Sequence, residues 1–388
     1  MIFQLHNCHS LNRKNIPETV RLQLWIKSAG RCEFKGCNTP VWHNGLTLSE
    51  GNFAEVAHII GSSKDGPRGT DESEDLQTDY SNLMLLCQRC HKEIDDHPEM
   101  YPIELLKSWK QEHENRIEIQ TSHPEDIHKS TILTCLINIG DRITPINFEA
   151  ARNAMFPKYP TDFKGVAIKE TEFNRFGSEV EWQSFAENKI KRKLLRYFEE
   201  GTDEVSTKHL SIFGMAPMPL LVFLGKCVGD TIPSEIYQSH RNIENTSKTW
   251  NWQESSVGDT LFIVTNEKDV SGEVVILKLA ISDFLHEDKY LNLLGNQVSE
   301  YQITVSEPSQ HFLKTKKQLE IFSHEYRKLL NVIQLKHGRN CKILLLLAVP
   351  VAIAVECGRV IVPTKDPEIY ACEYFKDGGG YKSVLRIN

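Results

Sequence analysis

The sequence predicts two folded units of different class: a small α+β unit of two strands and a helix, stapled by four cysteines, and a larger α/β unit made of two related halves. Three observations predict this. Cys32-x4-Cys37 and Cys87-x2-Cys90 supply paired thiolates from distant segments. Around the second pair stand His58, Asn82, His91 and Asp95, residue types that hold and use a metal ion. Downstream, a shift of 133 residues lays Pro217, Gly225, Thr231, Glu235, Ile236 and Tyr237 on Pro350, Gly358, Thr364, Glu368, Ile369 and Tyr370.

A chain of 388 residues exceeds one typical domain, and 40% hydrophobic with 25% charged residues is ordinary globular composition. The start, Met1-Ile-Phe-Gln-Leu-His, has no basic region followed by an apolar core, and no stretch approaches the roughly 18 apolar residues of a membrane span. A cytoplasmic protein with no membrane association is therefore expected. Ten cysteines in that compartment argue for metal binding or burial rather than disulfides. Beyond the two pairs, Cys8, Cys135, Cys227, Cys341, Cys357 and Cys372 read as small buried side chains. The net charge is −7, and residues 1–122 carry 13 Lys and Arg against 18 Asp and Glu. Such a unit lacks the basic surface that grips nucleic acid through many phosphates. Binding would rest on a metal, on local cations such as Lys64, Arg68, Arg89 and Lys92, and on multiplying weak sites by assembly.

The elements follow in order. Residues 53–60 alternate as a strand does, with His58 at its end beside the polar loop 61–69. A second strand is expected over residues 81–86, and His91 then opens a helix that places Asp95 four residues on along the same face. Cys32 and Cys37 flank a turn containing Gly36, and with the Cys87-x2-Cys90 knuckle they can surround Zn2+ at about 2.3 Å. Residues 103–119 have apolar positions at helical spacing and close a unit spanning 1–122. Residues 123–129 are a polar, proline-containing linker, and 130–388 form the second unit. It begins with a buried strand over 130–140, after which Thr144 and Pro145 read as the N-cap and first position of a helix. The two repeats each run from a buried strand, at 210–215 and 343–349, through a proline turn and an apolar segment with a glycine into Glu-Ile-Tyr. A helical Arg-Lys-Leu-Leu precedes each, at 192–195 and 327–330.

The pattern Cys32-x4-Cys37, Ala57-His58-Ile59, Asn82, Cys87-x2-Cys90-His91-x3-Asp95 resembles the HNH (ββα-metal) endonucleases over residues 20–120. The resemblance implies that His58 is the general base, Asn82 the orienting residue and His91, with Asp95, a ligand of a catalytic divalent metal. Many members carry a His or Asp just before the base; here Ala57 stands there, and Glu55 or water would complete the shell. The catalytic metal, Mg2+ or a transition metal, stays open, and the reaction implied is metal-assisted phosphodiester hydrolysis.

The segment Leu210-Ser-Ile-Phe-Gly-Met-Ala-Pro-Met-Pro-Leu-Leu-Val-Phe-Leu-Gly225 resembles the SAVED domain, a sensor of two fused CARF-like, Rossmann-related halves. So do Ile236-Tyr-Gln-Ser-His-Arg241, Thr249-Trp-Asn-Trp252 and Leu347-Ala-Val-Pro350 through Gly358-Arg359. An HNH nuclease joined to a SAVED sensor resembles the effectors of bacterial CBASS anti-phage systems. That implies a cyclic di- or trinucleotide ligand, ligand-driven assembly into a homo-oligomer (dimer or tetramer), and degradation of double-stranded DNA. In open α/β sheets ligands lie beyond the carboxyl ends of the strands, which makes Arg142, Thr144, Arg241, Trp250 and Trp252 the candidate contacts. Trp250 and Trp252 offer flat faces for bases and equally suit a core. Two other readings remain: a modification-dependent HNH restriction enzyme whose C-terminal domain reads DNA, and a zinc module that binds nucleic acid without cutting.

Overall fold

The computed structural model describes residues 14–122, 129–138, 146–161, 165–200, 209–240, 249–253, 262–270, 272–294, 297–376 and 379–388. The chain divides into two compact units, residues 1–126 and 127–388.

In the first unit, helix α1 (Glu18–Lys27) precedes a hairpin of strands β1 (Ala54–His58) and β2 (Leu83–Cys87), helix α2 (Gln88–Asp96) and the long helix α3 (Ile103–Thr121). β1 and β2 are antiparallel, with Ala54 opposite Cys87 and His58 opposite Leu83. Ala57, Met84, Leu85, Leu86, Ile94 and Leu106 fill a small core to which Cys32 and Cys90 belong. So small a core is short of buried apolar area, the situation in which a metal staple contributes most. β1 is shorter at both ends than the expected 53–60, and two further placements differ from expectation. Asn82 lies in a 3-10 turn (Tyr80–Asn82) just ahead of β2, because Asp79 caps that turn by accepting from the Ser81 amide. α2 starts at Gln88 with Cys87 as its N-cap, so His91 stands at its first full turn rather than at its opening. α1 carried no strong sequence signal, since much of its surface is exposed and only Leu24 is buried.

The second unit holds two sheets. The first contains β3 (Lys129–Ile137), the short β4 (Tyr159–Pro160), β5 (Val166–Glu170), β6 (Leu210–Met215) and β7 (Ser234–Tyr237), in the order β5-β3-β6-β7, with β4 pairing the start of β3; all are parallel. Helix α4 (Phe148–Ala154) follows β3, and a helical stretch formed by α5 (Glu179–Phe185), a π-turn and α6 (Arg192–Glu200) leads to β6. Helix α7 (Met218–Val228) joins β6 to β7.

The second sheet comprises β8 (Ile263–Lys268), β9 (Val274–Ala280), β10 (Val298–Thr304), β11 (Lys342–Ala348), β12 (Glu368–Phe375) and β13 (Gly380–Arg386), with α8 (Lys316–His337) before β11 and α9 (Val351–Val360) after it. Its parallel core β10-β9-β11-β12 repeats the order of the first sheet, and β8 and β13 are antiparallel edges. Burial on both faces between helices explains why residues 210–214 and 343–347 are buried without alternation, the second as an unbroken Ile-Leu run and the first with only the small Ser211 and Gly214 among its apolar residues.

The repeat seen at a shift of 133 residues has a structural cause. β6-α7-β7 and β11-α9-β12 are equivalent units, and α7 packs on α9 about a pseudo-two-fold axis. A Cβ on Gly225 would lie 1.9 Å from the Val355 carbonyl oxygen, and one on Gly358 would lie 1.8 Å from the Val222 carbonyl oxygen. Val222 and Val355 are themselves 133 residues apart, so the two contacts are reciprocal, as at an isologous dimer interface.

Thr144 and Pro145 lie outside the described residues; the next described helix is α4, capped by Asn147, whose side chain accepts from the Glu149 and Ala150 amides. Of the scattered cysteines, Cys135, Cys341, Cys357 and Cys372 are buried and Cys227 is half-buried, while Cys8 lies outside the described residues. No helix among the described residues is long and apolar enough to cross a membrane.

Candidate functional site

The Cys32–Cys37 turn docks on β2 through Glu33, whose amide donates to the Leu85 carbonyl (2.9 Å) and whose side-chain carboxyl group accepts from the Leu85 amide (2.6 Å). Gly36 at φ 88° and Asn38 at φ 52° turn the chain back. Cys87 ends β2 and Cys90 lies in the first turn of α2, so four sulfurs converge with every pair of Sγ atoms within 4.8 Å. Cys37 Sγ and Cys87 Sγ are 3.9 Å apart. Tetrahedral zinc with Zn–S bonds of about 2.3 Å has S–S edges of about 3.8 Å, so the donor set fits zinc. The thiol of Cys90 is lowered to about 5 by the hydrogen bond from Cys32, with Cys87, Cys37 and Arg89 adding to the effect against burial.

His58, at the end of β1, is 8% exposed. Its Nε2 is 3.0 Å from the Gln77 carbonyl, which can only accept, so the neutral ring carries its proton on Nε2 and its basic nitrogen is Nδ1. Asn82 does not reach this ring. Its side chain brackets backbone instead: Oδ1 accepts from the Ile60 amide (2.7 Å), and Nδ2 donates to the carbonyls of Ile60 (3.0 Å) and Leu76 (3.1 Å). Asn82 is thus bonded to the backbone two residues beyond His58. Gln77 fixes the same region, with its amide nitrogen donating to the Ser62 carbonyl.

α2 presents His91 and Asp95 on one face, with His91 Nε2 at 3.3 Å from Asp95 Oδ2. Two cis ligands of one ion at about 2.1 Å each stand about 3.0 Å apart, so this pair fits a divalent metal. Glu55, expected to join the same shell, faces the other side of the ring, its Oε2 at 3.5 Å from His91 Nδ1. β1 and the start of α2 bring Glu55 and His91 together, but the strand enters from the Nδ1 edge. A hydrogen bond from Nδ1–H to a carboxylate is the usual support for an imidazole that binds metal through its other nitrogen. The hydrogen bond that His91 donates to Asp95 raises the proton affinity of His91 against the opposing effect of burial, with Glu55 adding to it.

Of the cations expected to meet phosphate, Lys64 pairs with Asp71, Lys92 pairs with Asp96, and Arg89 faces the thiols of Cys37 and Cys90. Arg68 is not a surface cation at all; its side chain is 4% exposed. The guanidinium Nε donates to the Ile59 carbonyl (2.8 Å), and the terminal nitrogens donate to the carbonyls of Ile94 and His58 (3.3 Å) and to Asp95 Oδ1 (2.9 Å). A Gly-rich loop suggested exposure, and nothing in its composition reveals that it folds inward. His113, whose part in the site the sequence left open, is buried on α3 with Nε2 3.0 Å from the Ser28 carbonyl, while the equally open His97 is 4.0 Å from Glu99 on the surface.

In the second unit Arg142, Thr144 and Arg241 lie outside the described residues. Trp250 is 3% exposed and sits edge-on to Phe213 (5.3 Å, 88°), itself stacked on Tyr237. It is a core residue, which corrects its assignment as a base-stacking surface. Trp252 is half-buried, 6.2 Å from the His240 ring. Among the described residues, Trp252 Nε1, Asn251 Oδ1 and His240 Nε2 are buried without a hydrogen-bond partner, all just beyond the carboxyl end of β7. Buried orphans cost about 1–3 kcal/mol each and call for a partner. Beside them Gln238 Oε1 accepts from the Ala352 amide (3.2 Å) in the first turn of α9, so the carboxyl ends of strands from both halves meet here.

Comparison with known proteins agrees with this division. Residues 36–96 match the family model for HNH endonuclease, and residues 190–387 match that for the SMODS-associated and fused to various effectors sensor domain, SAVED. No curated protein matches the chain. Among solved structures, the chain is similar to the Acinetobacter baumannii Cap4 SAVED/CARF-domain containing receptor with the cyclic trinucleotide 2′3′3′-cAAA, at 13% identity and TM-score 0.44, covering 82% of this chain and 66% of that one. The Moraxella osloensis Cap4 SAVED/CARF-domain containing receptor is similar at 11% identity and TM-score 0.38, over 82% of this chain and 66% of that one. The chain thus spans just under two thirds of their length.

Proposed function

The chain belongs to the SAVED sensor family and carries an HNH endonuclease domain, and from this we propose that it is a bacterial anti-phage effector nuclease switched on by a cyclic oligonucleotide. The substrate in this reading is double-stranded DNA, and the ligand is a cyclic di- or trinucleotide. The observation that carries the nuclease half is the ββα arrangement of His58, His91, Asp95 and Glu55 beside the cysteine cage.

The cage of Cys32, Cys37, Cys87 and Cys90 would hold structural Zn2+ and pin the turn to the hairpin. His91 Nε2 and Asp95 Oδ2 would hold the catalytic divalent ion, with Glu55 orienting His91 through Nδ1. Such an ion supplies charge stabilisation for the phosphate and the leaving 3′ oxygen. His58 takes a proton from the attacking water at Nδ1, while the Gln77 carbonyl holds Nε2–H and stabilises the imidazolium that forms. Asn82 and Gln77 fix the backbone that carries this base.

The cyclic nucleotide is proposed to lie at the carboxyl ends of the strands in the second unit, where His240, Asn251 and Trp252 await partners. Arg142, Thr144 and Arg241 belong to that end on sequence grounds. An acidic nuclease unit whose Lys64 and Lys92 are paired with carboxylates binds a duplex weakly alone, so activation by assembly follows naturally. The ligand must favour the assembled state over the free one to drive it.

The test is plasmid cleavage by nucleotide-free protein with Mg2+ or Mn2+ across a panel of cyclic di- and trinucleotides, with light scattering in parallel. Cutting and growth in mass are expected only with a matching ligand. Equal cutting of unmodified DNA without ligand, by protein of unchanged mass, rejects the sensor reading. Cutting confined to base-modified DNA without ligand replaces it with the restriction enzyme.

A further inference from the structure

The loop between β1 and the 3-10 turns is built around one inward-pointing side chain. A Cβ on Gly61 would lie 2.5 Å from the Pro67 carbonyl oxygen, and one on Gly69 would lie 2.2 Å from the Lys64 carbonyl oxygen, so the loop folds tightly on itself. Arg68, between Gly66 and Gly69, has φ 53°, a conformation that L side chains other than Asn and Asp rarely adopt. Backbone held in such a state marks a position that its surroundings over-determine, and such positions cluster where function needs fixed geometry.

What Arg68 reaches is the frame of the metal centre. Three of its bonds go to carbonyls that have nothing to do with the loop: His58 and Ile59 at the end of β1, and Ile94 on α2. The fourth goes to Asp95 Oδ1 at 2.9 Å, while the other carboxylate oxygen lies toward His91 Nε2. A guanidinium is planar with a rigid fork of donors, so three carbonyls fix its orientation and the fourth bond then fixes the carboxylate. Among the described residues, Arg68 and His91 are the side chains that meet the Asp95 carboxylate.

Resting on the reading of His91 and Asp95 as the ion-holding pair, we propose that Arg68 is a positioning residue of the nuclease centre. It ties the strand that carries His58 to the helix that carries the metal pair. It also holds Asp95 with Oδ1 occupied and Oδ2 presented to the ion. The burial of its charge is balanced by the same carboxylate, so the two groups act as a unit.

The experiment measures Mn2+ binding to the zinc-loaded full chain by calorimetry and by the paramagnetic resonance signal of free Mn2+. Wild type is compared with Arg68→Ala, Arg68→Lys, Asp95→Ala, the Arg68→Ala/Asp95→Ala double variant and His58→Ala. Loss of a group that orients a metal ligand lowers affinity by about 10- to 100-fold, and Arg68→Ala is expected in that range. Arg68→Lys keeps the charge but not the fork and is expected to recover only part of it. The double variant should bind no more weakly than Asp95→Ala alone, because Arg68 acts through Asp95. The Mn2+ concentration giving half-maximal DNA cutting should shift by the same factor, whereas His58→Ala should lose cutting and keep Mn2+ affinity.

Unchanged Mn2+ affinity in Arg68→Ala overturns the proposal, as does a double variant weakened by the full product of the two single effects. If Arg68→Ala loses its zinc or its melting transition, the decision passes to Arg68→Lys, for which wild-type Mn2+ affinity is the overturning result. Wild-type protein that binds no Mn2+ overturns the proposal together with the metal pair. Failure of the nuclease reading looks different: Mn2+ binds and follows the Arg68–Asp95 coupling, yet no DNA is cut with any cyclic nucleotide.

Discussion

At the scale of single residues, the nuclease unit separates groups that do chemistry from groups that hold them. His58→Ala removes the proposed base, so it should abolish metal-dependent cleavage while the melt and cyclic-nucleotide binding stay intact; full cutting by a folded variant would remove His58 from the mechanism. Asn82→Ala should instead cost about 2 kcal/mol of stability, because it strands the buried Ile60 amide, and should lose activity as a consequence. A chemical-denaturation curve beside the cleavage assay distinguishes the two. In the sensor unit the tryptophans should part company. Trp250→Ala excavates the core next to Phe213 and should destabilise by about 4 kcal/mol, whereas Trp252→Ala should weaken cyclic-nucleotide binding with a smaller effect on melting. His209 adds a pH signature. Burial, with Lys158, Lys316 and Arg359 nearby, lowers it to about 4. The unfolded chain, with an imidazole near about 6.5, then binds more protons than the folded one between those values. Stability from this group is therefore complete above about pH 6.5 and falls as pH drops toward 4, and His209→Gln should flatten the slope in denaturation curves.

At the scale of elements, each unit has one joint on which the rest depends. Cys87 closes β2 and caps α2, and with Cys90 it ties both to the 32–37 turn. Replacing Cys87 with alanine should release zinc and unfold the first unit, since metal binding there is folding free energy. Elemental analysis should find one zinc per chain that survives His91→Ala; zinc lost with His91 and kept without Cys87 would reverse the assignment of the two sites. In the second unit the joint is the α7–α9 crossing, where the two helices approach until only glycine fits. Gly225→Ala or Gly358→Ala should destabilise the unit by about 3 kcal/mol or more through backbone overlap, and thermal melts of the two variants should agree because the contacts are reciprocal.

For the whole molecule, the two units have opposite requirements. The nuclease unit has a site but an acidic balance of charge, with Lys64 and Lys92 paired to carboxylates and Arg68 turned inward. The sensor unit has the larger core and two symmetric halves whose strand ends converge. A design in which ligand binding multiplies weak nuclease sites predicts steep dependence of cutting on protein concentration and on salt, both relieved once assembly is complete. Cleavage rates measured across dilution at fixed saturating ligand should fall faster than in proportion to protein.

What the sequence determined alone is what identity and spacing encode. Paired cysteines, a His at a strand end and His-x3-Asp on a helix can each be read because metal ligands tolerate few substitutes and helices and strands have fixed periods. The duplicated α/β half was legible for the same reason: Gly225 and Gly358 sit where no side chain fits, so both copies keep them in register. The tertiary structure decided everything that depends on direction in space. Glu55 shares a strand face with the site yet meets the far nitrogen of His91, Asn82 grips backbone in place of a ring, and Trp250 turns into the core while Trp252 stays near the strand ends. Arg68 is the clearest case, because a loop sequence specifies flexible backbone and a charge but not which way that charge will point. Only the folded loop, with its glycines in contact with backbone, turns it from solvent to the centre of the site.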